Sequence, residues 1–302
     1  MKDFVLFRSS EMPHIICKEN FEKYTKNEFP FKQIDNGNIH FYATCPECEN
    51  PIQIKGLYNG KRVYGAHTGK NIKGLNEFNY LNYKYCPRAV KGSHVPKDER
   101  KELSSQKDIT VYKTIRNNFD LAVAFAKKHL GYYISNNKAK EALDAYYESQ
   151  GWLYPHSSVN NIPFMLFYLQ PAFNPYGLWI RKGGLLEKKI LEVKDFELQD
   201  IEGNAGMFYR RLVTKSGGKY LKLTMMLWNH RFKENDNGNL EESIDIQICK
   251  DLGLKPEIHE WKEIINVTIK IPELDFSRFI NSNKNIRDKD LLEYSNKLFK
   301  DF

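Results

Sequence analysis

The spacing of apolar residues changes twice along the chain. Residues 39–44 and 51–54 have the pattern of short strands, and a turn with two cysteines separates them. Between residues 118 and 150 the apolar positions recur at helical spacing, and from Ile162 onward the pattern is mostly that of strands. This succession predicts an α+β fold with a small N-terminal module, a central helical hairpin and a C-terminal, mostly antiparallel β-sheet that ends in a helix.

Capping residues set the limits of the two central helices. Asn118 is expected to cap a helix that stops at Gly131, and Ser135 to cap a second that stops at Gly151. A DNA-binding helix-turn-helix is the alternative, but the second helix exposes mixed charges, which favours an ordinary helical hairpin. One buried stripe is predicted on the second helix, formed by Ala139, Ala142, Leu143, Tyr146 and Tyr147.

Seven strands and a final helix are predicted in the rest of the chain. Short turns separate neighbouring strands, among them a hairpin turn at residues 213–220, and this favours an antiparallel sheet. The final helix, residues 288–302, is expected to pack its leucines and Phe299 against that sheet. The predicted strands are Phe164–Leu169, Leu178–Arg181, Lys189–Glu197, Met207–Thr214, Tyr220–Trp228, Ile244–Ile248 and Ile264–Ile271.

Residues 91–108 are polar and dense in charge, so they are predicted to be a linker. The resulting division has a module at residues 1–97, a helical segment at 98–151 and a β-rich domain at 152–302.

The composition predicts a folded, cytoplasmic protein. Among 302 residues, 41% are hydrophobic and 14% are aromatic, which excludes a disordered chain. The longest apolar runs fall far short of the ~20 residues that a membrane helix needs, and the N-terminus lacks a secretory apolar segment. There are five cysteines, and an odd number favours a reducing compartment over a disulfide scaffold.

Two similar turns carry three of the cysteines. Cys45 and Cys48 form a C-P-x-C turn, and Cys86 begins a second Cys-Pro turn in which Ala89 replaces the last cysteine. With His67 as the fourth ligand, these residues are predicted to bind a structural Zn²⁺, because the site has four protein ligands and no open position. The alternatives are a redox pair, which would require a βαβ context, and unrelated buried cysteines. The substitutes for His67 as a ligand are His40 and His94.

Residues 40–90 resemble a zinc ribbon with one ligand exchanged. Residues 45–67, with the C-P-x-C turn, an alternating strand, Lys55-Gly56 and a later histidine, are also similar to the metal element of CoiA-type competence proteins. Where that family has H-F-x-H, this chain has Ala66-His67-Thr68-Gly69, so the second histidine is missing. The resemblance implies a zinc element and carries no activity over.

The positive charge of the protein is concentrated next to the cysteines. The chain has 46 basic and 38 acidic residues, a net charge of +8, and residues 51–97 alone contribute nine basic residues and one acidic residue. Five tyrosines and Phe78 are interleaved with them, which is typical of segments that bind phosphates and stack on bases. A solvated lysine-rich face is the alternative. The predicted nucleic-acid-binding residues are Lys55, Lys61, Arg62, Lys70, Lys73, Lys84, Arg88 and Lys91.

Catalysis has one candidate pair. Glu192 and Lys194 would share a strand face, as in the E-x-K half of a PD-(D/E)xK nuclease, but no aspartate precedes them on a neighbouring strand. The set of Asp245, Gln247 and Lys250 is no more complete. The leading hypothesis is therefore a non-catalytic, zinc-stabilised protein that binds DNA or RNA. The alternatives are the metal-dependent nuclease and a protein-interaction subunit of a larger assembly, which the β-rich half would serve.

Overall fold

The fold is α+β, with 34% of residues in helices and 28% in strands, as the sequence predicts. Contacts divide the chain into two compact units, one of residues 1–95 and 231–241, the other of residues 96–230 and 242–302. The three-part division made from the sequence stays a prediction. The computed structural model describes residues 1–8, 11–35, 37–59, 62–89, 94–102, 104–194, 196–215, 220–235, 239–252, 260–272 and 275–300.

The first unit is built on a four-stranded antiparallel sheet. Its strands follow one another in the order β3-β4-β5-β6, and a separate two-stranded ribbon pairs β1 with β2. The elements are β1 (Asp3–Phe4), β2 (His14–Ile15), α1 (Lys18–Thr25), β3 (Lys32–Asp35), β4 (Asn38–Thr44), β5 (Pro51–Lys55), β6 (Tyr64–His67) and α2 (Tyr80–Lys84).

Helix α1 covers one face of this sheet. Its Phe21 is fully buried and meets Phe41 of β4 edge to face at 5.7 Å, beside Ile54 of β5. Cys17 caps the helix by accepting a hydrogen bond from the Asn20 N–H, which gives this thiol a local structural role. One side of the sheet is thus the core of the unit.

The second unit combines a helical layer with two three-stranded sheets, ordered β7-β9-β8 and β10-β11-β12. Five of the seven predicted strands are confirmed, since β7 and β9–β12 overlap them. The elements are α3 (Gln106–His129), α4 (Asn136–Glu148), α5 (Ile162–Tyr168), β7 (Trp179–Arg181), α6 (Leu185–Leu191), β8 (Phe196–Asp200), β9 (Tyr209–Thr214), β10 (Leu223–Glu234), β11 (Leu240–Asp251), β12 (Trp261–Ile271), α7 (Asp275–Ser282) and α8 (Lys289–Leu298).

The central hairpin exists, but its first helix begins earlier than predicted. Ser105 and Asp108 form a reciprocal capping box, so helical structure starts within the expected linker. Asn118, the expected cap, instead lies at a kink inside α3, with φ −141° and ψ 27°. The second helix begins after Ser135 as predicted, and four of the five predicted stripe residues are buried, Tyr147 being the exception.

Two predicted strands are wrong in whole or in part. Residues 164–169 lie mostly in helix α5, whose seven residues are all buried. A helix that is apolar on every side has no periodicity to distinguish it from a buried strand. Within residues 189–197, the first three residues end α6, and a strand begins only at Phe196.

The strands on either side of the expected hairpin at residues 213–220, β9 and β10, pair in different sheets and not with each other. Residues 216–219 at its centre lie outside the described part of the chain.

The final helix packs against other helices and not against a sheet. Contacts of α8 are mainly with α3 and α4. The buried ring of Phe299 lies 4.8 Å from Tyr112 and 5.0 Å from Tyr147. Ahead of the helix, Arg287 forms two 2.7 Å hydrogen bonds with the buried carboxylate of Asp120. These contacts correct the predicted position of the helix.

Candidate metal centre and basic surface

Three different elements bring four metal-ligand side chains together in the first unit. Cys45 follows the last residue of β4 and opens a turn in which its N–H donates to the Asn50 carbonyl at 2.9 Å. His67 ends β6. Cys86 follows α2, and its carbonyl accepts the N–H of Ala89 at 2.9 Å, which closes the second turn. The sheet and the short helix therefore fix the directions from which the ligands approach.

The donor atoms form one compact group. The Sγ atoms of Cys45 and Cys86 are 3.8 Å apart, and His67 Nε2 lies 3.3 Å from Cys48 Sγ and 3.7 Å from Cys86 Sγ. All four donor atoms lie within 4.8 Å of one another. All three cysteines are buried, and His67 is partly buried. This cluster of Cys45, Cys48, His67 and Cys86 can hold a metal ion.

The spacing fits a tetrahedral ion. Zinc with bonds of ~2.3 Å to sulfur and ~2.0 Å to nitrogen requires S···S separations of about 3.8 Å and S···N separations of about 3.5 Å. The observed distances of 3.8, 3.3 and 3.7 Å lie within about 0.2 Å of these values. These three separations, with all four donor atoms within 4.8 Å of one another, allow the Cys₃His set to surround one metal ion.

A buried asparagine links the two turns. Asn50 has no exposed surface, and its amide nitrogen donates to Cys48 Sγ at 3.3 Å and to the Asn79 carbonyl at 3.1 Å. Its amide oxygen accepts the Asn79 N–H at 2.6 Å. Because Asn79 caps α2, the same side chain orients one thiol and the helix that delivers another.

The thiols compete for charge. Hydrogen bonding to Cys45 and Cys86 lowers the pKa of the Cys48 thiol, whereas the hydrogen bond with Cys48 raises the pKa of the Cys45 thiol. For Cys86, the hydrogen bond with Cys45 lowers the pKa of the thiol. The hydrogen bond with Cys48, burial and the charge on Cys48 have a larger combined effect and raise that pKa to about 12. The polypeptide alone therefore favours one thiolate, and three together need a cation.

Arg88 anchors the second turn. Its Nη1 lies 2.7 Å from Asp3 Oδ1, its Nη2 donates to Oδ2 at 2.9 Å, and 6% of the side chain is exposed. Glu47 of the first turn lies 3.4 Å from Nε. Burial raises the pKa of Asp3 more than Arg88 lowers it, so holding this carboxylate as an ion is costly. The prediction that Arg88 lies on an exposed basic surface is corrected, since its charge is used inside the unit.

Five of the predicted phosphate-binding residues have exposed side chains. Lys84 among them donates to the Tyr85 hydroxyl at 2.7 Å and lies 4.5 Å from its ring centre. Lys61 and Lys91 lie outside the described residues. The exposed set, called the basic set below, consists of Lys55, Arg62, Lys70, Lys73 and Lys84.

The other histidines and the last lysine of the basic segment have separate environments. His40 Nδ1 is 3.0 Å from Gln53 Nε2. His94 is exposed, and its backbone forms an isolated antiparallel β-bridge with that of Arg231. Neither belongs to the metal cluster. Lys97 belongs to the second unit, where burial lowers its pKa to about 8.

The predicted nuclease pair does not share a strand. Glu192 caps the C-terminus of α6 and pairs with Lys189 at 2.7 Å on the protein surface. Lys194 lies beyond the end of α6, at a bend in the chain. The alternative, Asp245, accepts hydrogen bonds from Asn229 at 2.9 Å and Thr268 at 2.7 Å, and is buried. The strand alternation on which the E-x-K hypothesis depends is therefore absent at Glu192 and Lys194.

Sequence reasoning missed a buried polar chain in the second unit. His230 has no exposed surface, and its ring lies 2.7 Å from Glu242 and 3.1 Å from the Tyr154 hydroxyl. Asn161 donates to the same Glu242 oxygen at 2.6 Å. The residues are far apart in the sequence, so no local motif reveals them. Their burial indicates a structural role.

No family model matches the chain, and searches of curated proteins and of solved structures gave no match either. In the described part of the chain, no helix combines the length and apolar character needed to cross a lipid bilayer.

Proposed function

We propose that this protein binds nucleic acid through its first unit and that a structural zinc ion stabilises that unit. The proposal has two parts, the identity of the ion and the identity of the partner. The donor set supports the first part, and the charge and exposure of the basic set support the second.

Zinc is the ion best suited to the donors. Thiolates are soft ligands, and a tetrahedral set of sulfur and imidazole ligands is typical of zinc or iron–sulfur sites. Four protein ligands would leave no position for a water molecule, which suits a structural centre and not a catalytic one. Three thiolates and Zn²⁺ together carry a charge of −1, so the metal centre would offset only one of the positive charges in this segment.

A polyanion is the partner that the charges favour. Residues 51–97 carry nine basic side chains against one acidic side chain, and the basic set projects into solvent. Phosphate groups spaced along a strand would satisfy several of these cations at once, with release of counterions. The carrying observation is that these cations are exposed in the same unit as a cluster able to hold a metal ion.

A salt titration of binding tests the partner. The full chain, loaded with zinc, is titrated into labelled oligonucleotides at several salt concentrations. Four to five phosphate contacts predict a slope of log K against log salt of about −3 to −4.5. A flat response, or no binding at low salt, contradicts the proposal.

Charge reversal locates the contact surface. Lys70→Glu with Lys73→Glu should flatten the slope by about 1 to 2, since two phosphate contacts are lost. The matched control is Lys188→Glu with Lys262→Glu, two exposed lysines of the second unit, which changes the net charge equally. Equal effects from both pairs would indicate that binding depends on net charge alone, and would refute the assignment to the basic set.

Elemental analysis tests the ion. The purified chain should contain one equivalent of zinc, and exchange with Co²⁺ should produce thiolate-to-cobalt charge-transfer absorption. Absence of both would refute the metal assignment.

A further inference from the structure

The sheet of the first unit has a second face, opposite the one that α1 covers. Strand pairing places Tyr42 of β4 opposite Gln53 of β5, and Lys55 of β5 opposite Tyr64 of β6. His40 lies two residues before Tyr42 and therefore on the same side. These five residues, His40, Tyr42, Gln53, Lys55 and Tyr64, are called the open face.

The open face has the opposite character to the core face. Core positions such as Phe41 and Ile54 pair with each other and pack beneath α1. All five residues of the open face retain accessible surface, and Lys55 and Tyr64 are exposed, Tyr64 at 38%. Two tyrosines, a histidine, an amide and a lysine give this sheet face both ring surfaces and hydrogen-bonding groups.

The open face is partly organised. His40 Nδ1 and Gln53 Nε2 are 3.0 Å apart, which ties β4 to β5 through their side chains. The His40 and Tyr42 rings have centres 6.1 Å apart. Rings held on a rigid sheet lose little entropy when a flat ligand stacks on them.

Basic residues border the same face. Gln33 lies opposite His40 on β3, and its amide donates to the Lys73 carbonyl at 2.9 Å, so the loop with Lys73 lies beside this side of the sheet. A groove of about 510 Å³ is lined by His40, Gln53 and Lys55 of this face together with core-face residues such as Phe41 and Ile54. Lys55, directly opposite Tyr64, and the loop that carries Lys73 therefore place two basic residues next to this face.

We propose that the open face binds single-stranded nucleic acid, with bases stacked on Tyr42 and Tyr64 and with the backbone held by Lys55 and Lys73. This inference rests on the proposed function and specifies its ligand. In a duplex, base faces are stacked on one another and inaccessible, whereas the bases of a single strand can lie on aromatic side chains. The contact surface proposed is a sheet face of side chains and not a helix inserted into a groove, which again favours a single strand.

The test compares tyrosine variants on several oligonucleotides. The double variant Tyr42→Leu, Tyr64→Leu should bind a single-stranded oligonucleotide at least about tenfold more weakly, given ~1–3 kcal/mol for each stacked base. The salt slope should stay unchanged, because no phosphate contact is removed. Tyr42→Phe with Tyr64→Phe keeps the rings and should bind like the wild type, which separates stacking from misfolding.

Tyr80→Leu is the matched control. Tyr80 is 65% exposed in the same unit, lies on α2 and not on the sheet, and should be replaceable without loss of affinity. Single-stranded DNA, single-stranded RNA of the same sequence and the corresponding duplex are compared in each titration.

The outcomes separate the two proposals. Preference for duplex, or unchanged single-strand binding by the leucine double variant, overturns the open-face proposal while salt-dependent binding still supports the proposed function. Binding of no nucleic acid at all removes the proposed function itself. A preference between the DNA and RNA strands identifies which single strand the face accepts.

Discussion

Replacement of Cys86 by serine should unload the metal centre and destabilise the first unit. Cys86 is 1% exposed and is the ligand that ties the second turn to the first. A serine hydroxyl is a hard, neutral donor at ordinary pH, so it replaces the thiolate poorly. The remaining set, two thiolates and an imidazole, would leave one position of the tetrahedron open.

The size of the effect follows from linkage. Structural zinc in finger peptides contributes ~10–16 kcal/mol of binding free energy, and the weak end of that range corresponds to a Kd of about 50 nM. Free zinc at about 10 µM then exceeds Kd by roughly 200-fold and stabilises the folded unit by about 3 kcal/mol. For a domain of about 100 residues this raises Tm by at least about 10 °C.

The assay is thermal unfolding of the full chain with zinc and with a chelator, followed by circular dichroism and calorimetry. The wild type should show the zinc-dependent rise in Tm, and Cys86→Ser should show little of it. All four tryptophans, at positions 152, 179, 228 and 261, lie in the second unit, so their fluorescence reports whether that unit remains folded in the variant.

Cys17→Ser is the control, since Cys17 belongs to the same unit and serine can keep its capping bond to the Asn20 N–H. The reasoning is refuted if Cys86→Ser retains one zinc and the full rise in Tm, or if Cys17→Ser loses as much metal.

Three further predictions concern buried charges. Arg88→Leu should lower the free energy of unfolding by about 2–3 kcal/mol in urea titrations, below the ~3–5 expected for a fully buried pair because Asp3 is 22% exposed; an unchanged midpoint contradicts this. His230→Leu removes one of the two side chains that contact the Glu242 carboxylate oxygen and should cost about 1–3 kcal/mol by the same measurement; an unchanged midpoint would mean that the contact is dispensable. Lys97→Met should stabilise the protein at pH 7 by about 1–3 kcal/mol. Burial lowers the pKa of Lys97 from 10.5 to about 8, so between about pH 8 and pH 10.5 the unfolded chain holds a proton that the folded chain has lost. The free energy of unfolding of the wild type should therefore rise with pH across this window until the advantage of Lys97→Met disappears. A difference between the two proteins that does not change with pH would contradict this.

The metal cluster was predictable because its signal is local. A C-P-x-C turn at Cys45 and Cys48 and a repeated Cys-Pro at Cys86 show which residues can approach one ion, and His67 was the histidine between them. The parts that support the cluster were not predictable. Asn50 acts through a contact with Asn79, 29 residues away, and no spacing rule specifies such a pair.

The errors have physical reasons. Residues 162–168 are apolar on every side because they are buried in a helical layer, so their sequence does not distinguish helix from strand. Glu192 and Lys194 follow a helix end, where strand alternation has no meaning. Arg88 was predicted to be exposed because it lies among basic residues in the sequence. Its partner Asp3 is 85 residues away, so no local pattern indicated the contact that buries it.

The discontinuous make-up of the first unit has a consequence for its biosynthesis. All four ligands have left the ribosome soon after residue 86 is made, whereas residues 231–241, which belong to the same unit, are made much later. At ~5–20 residues per second, about 7 to 30 s of translation separate the two events. An ion bound early would stabilise the part of the first unit already made until residues 231–241 are added. A chain truncated after residue 97 would never receive that segment.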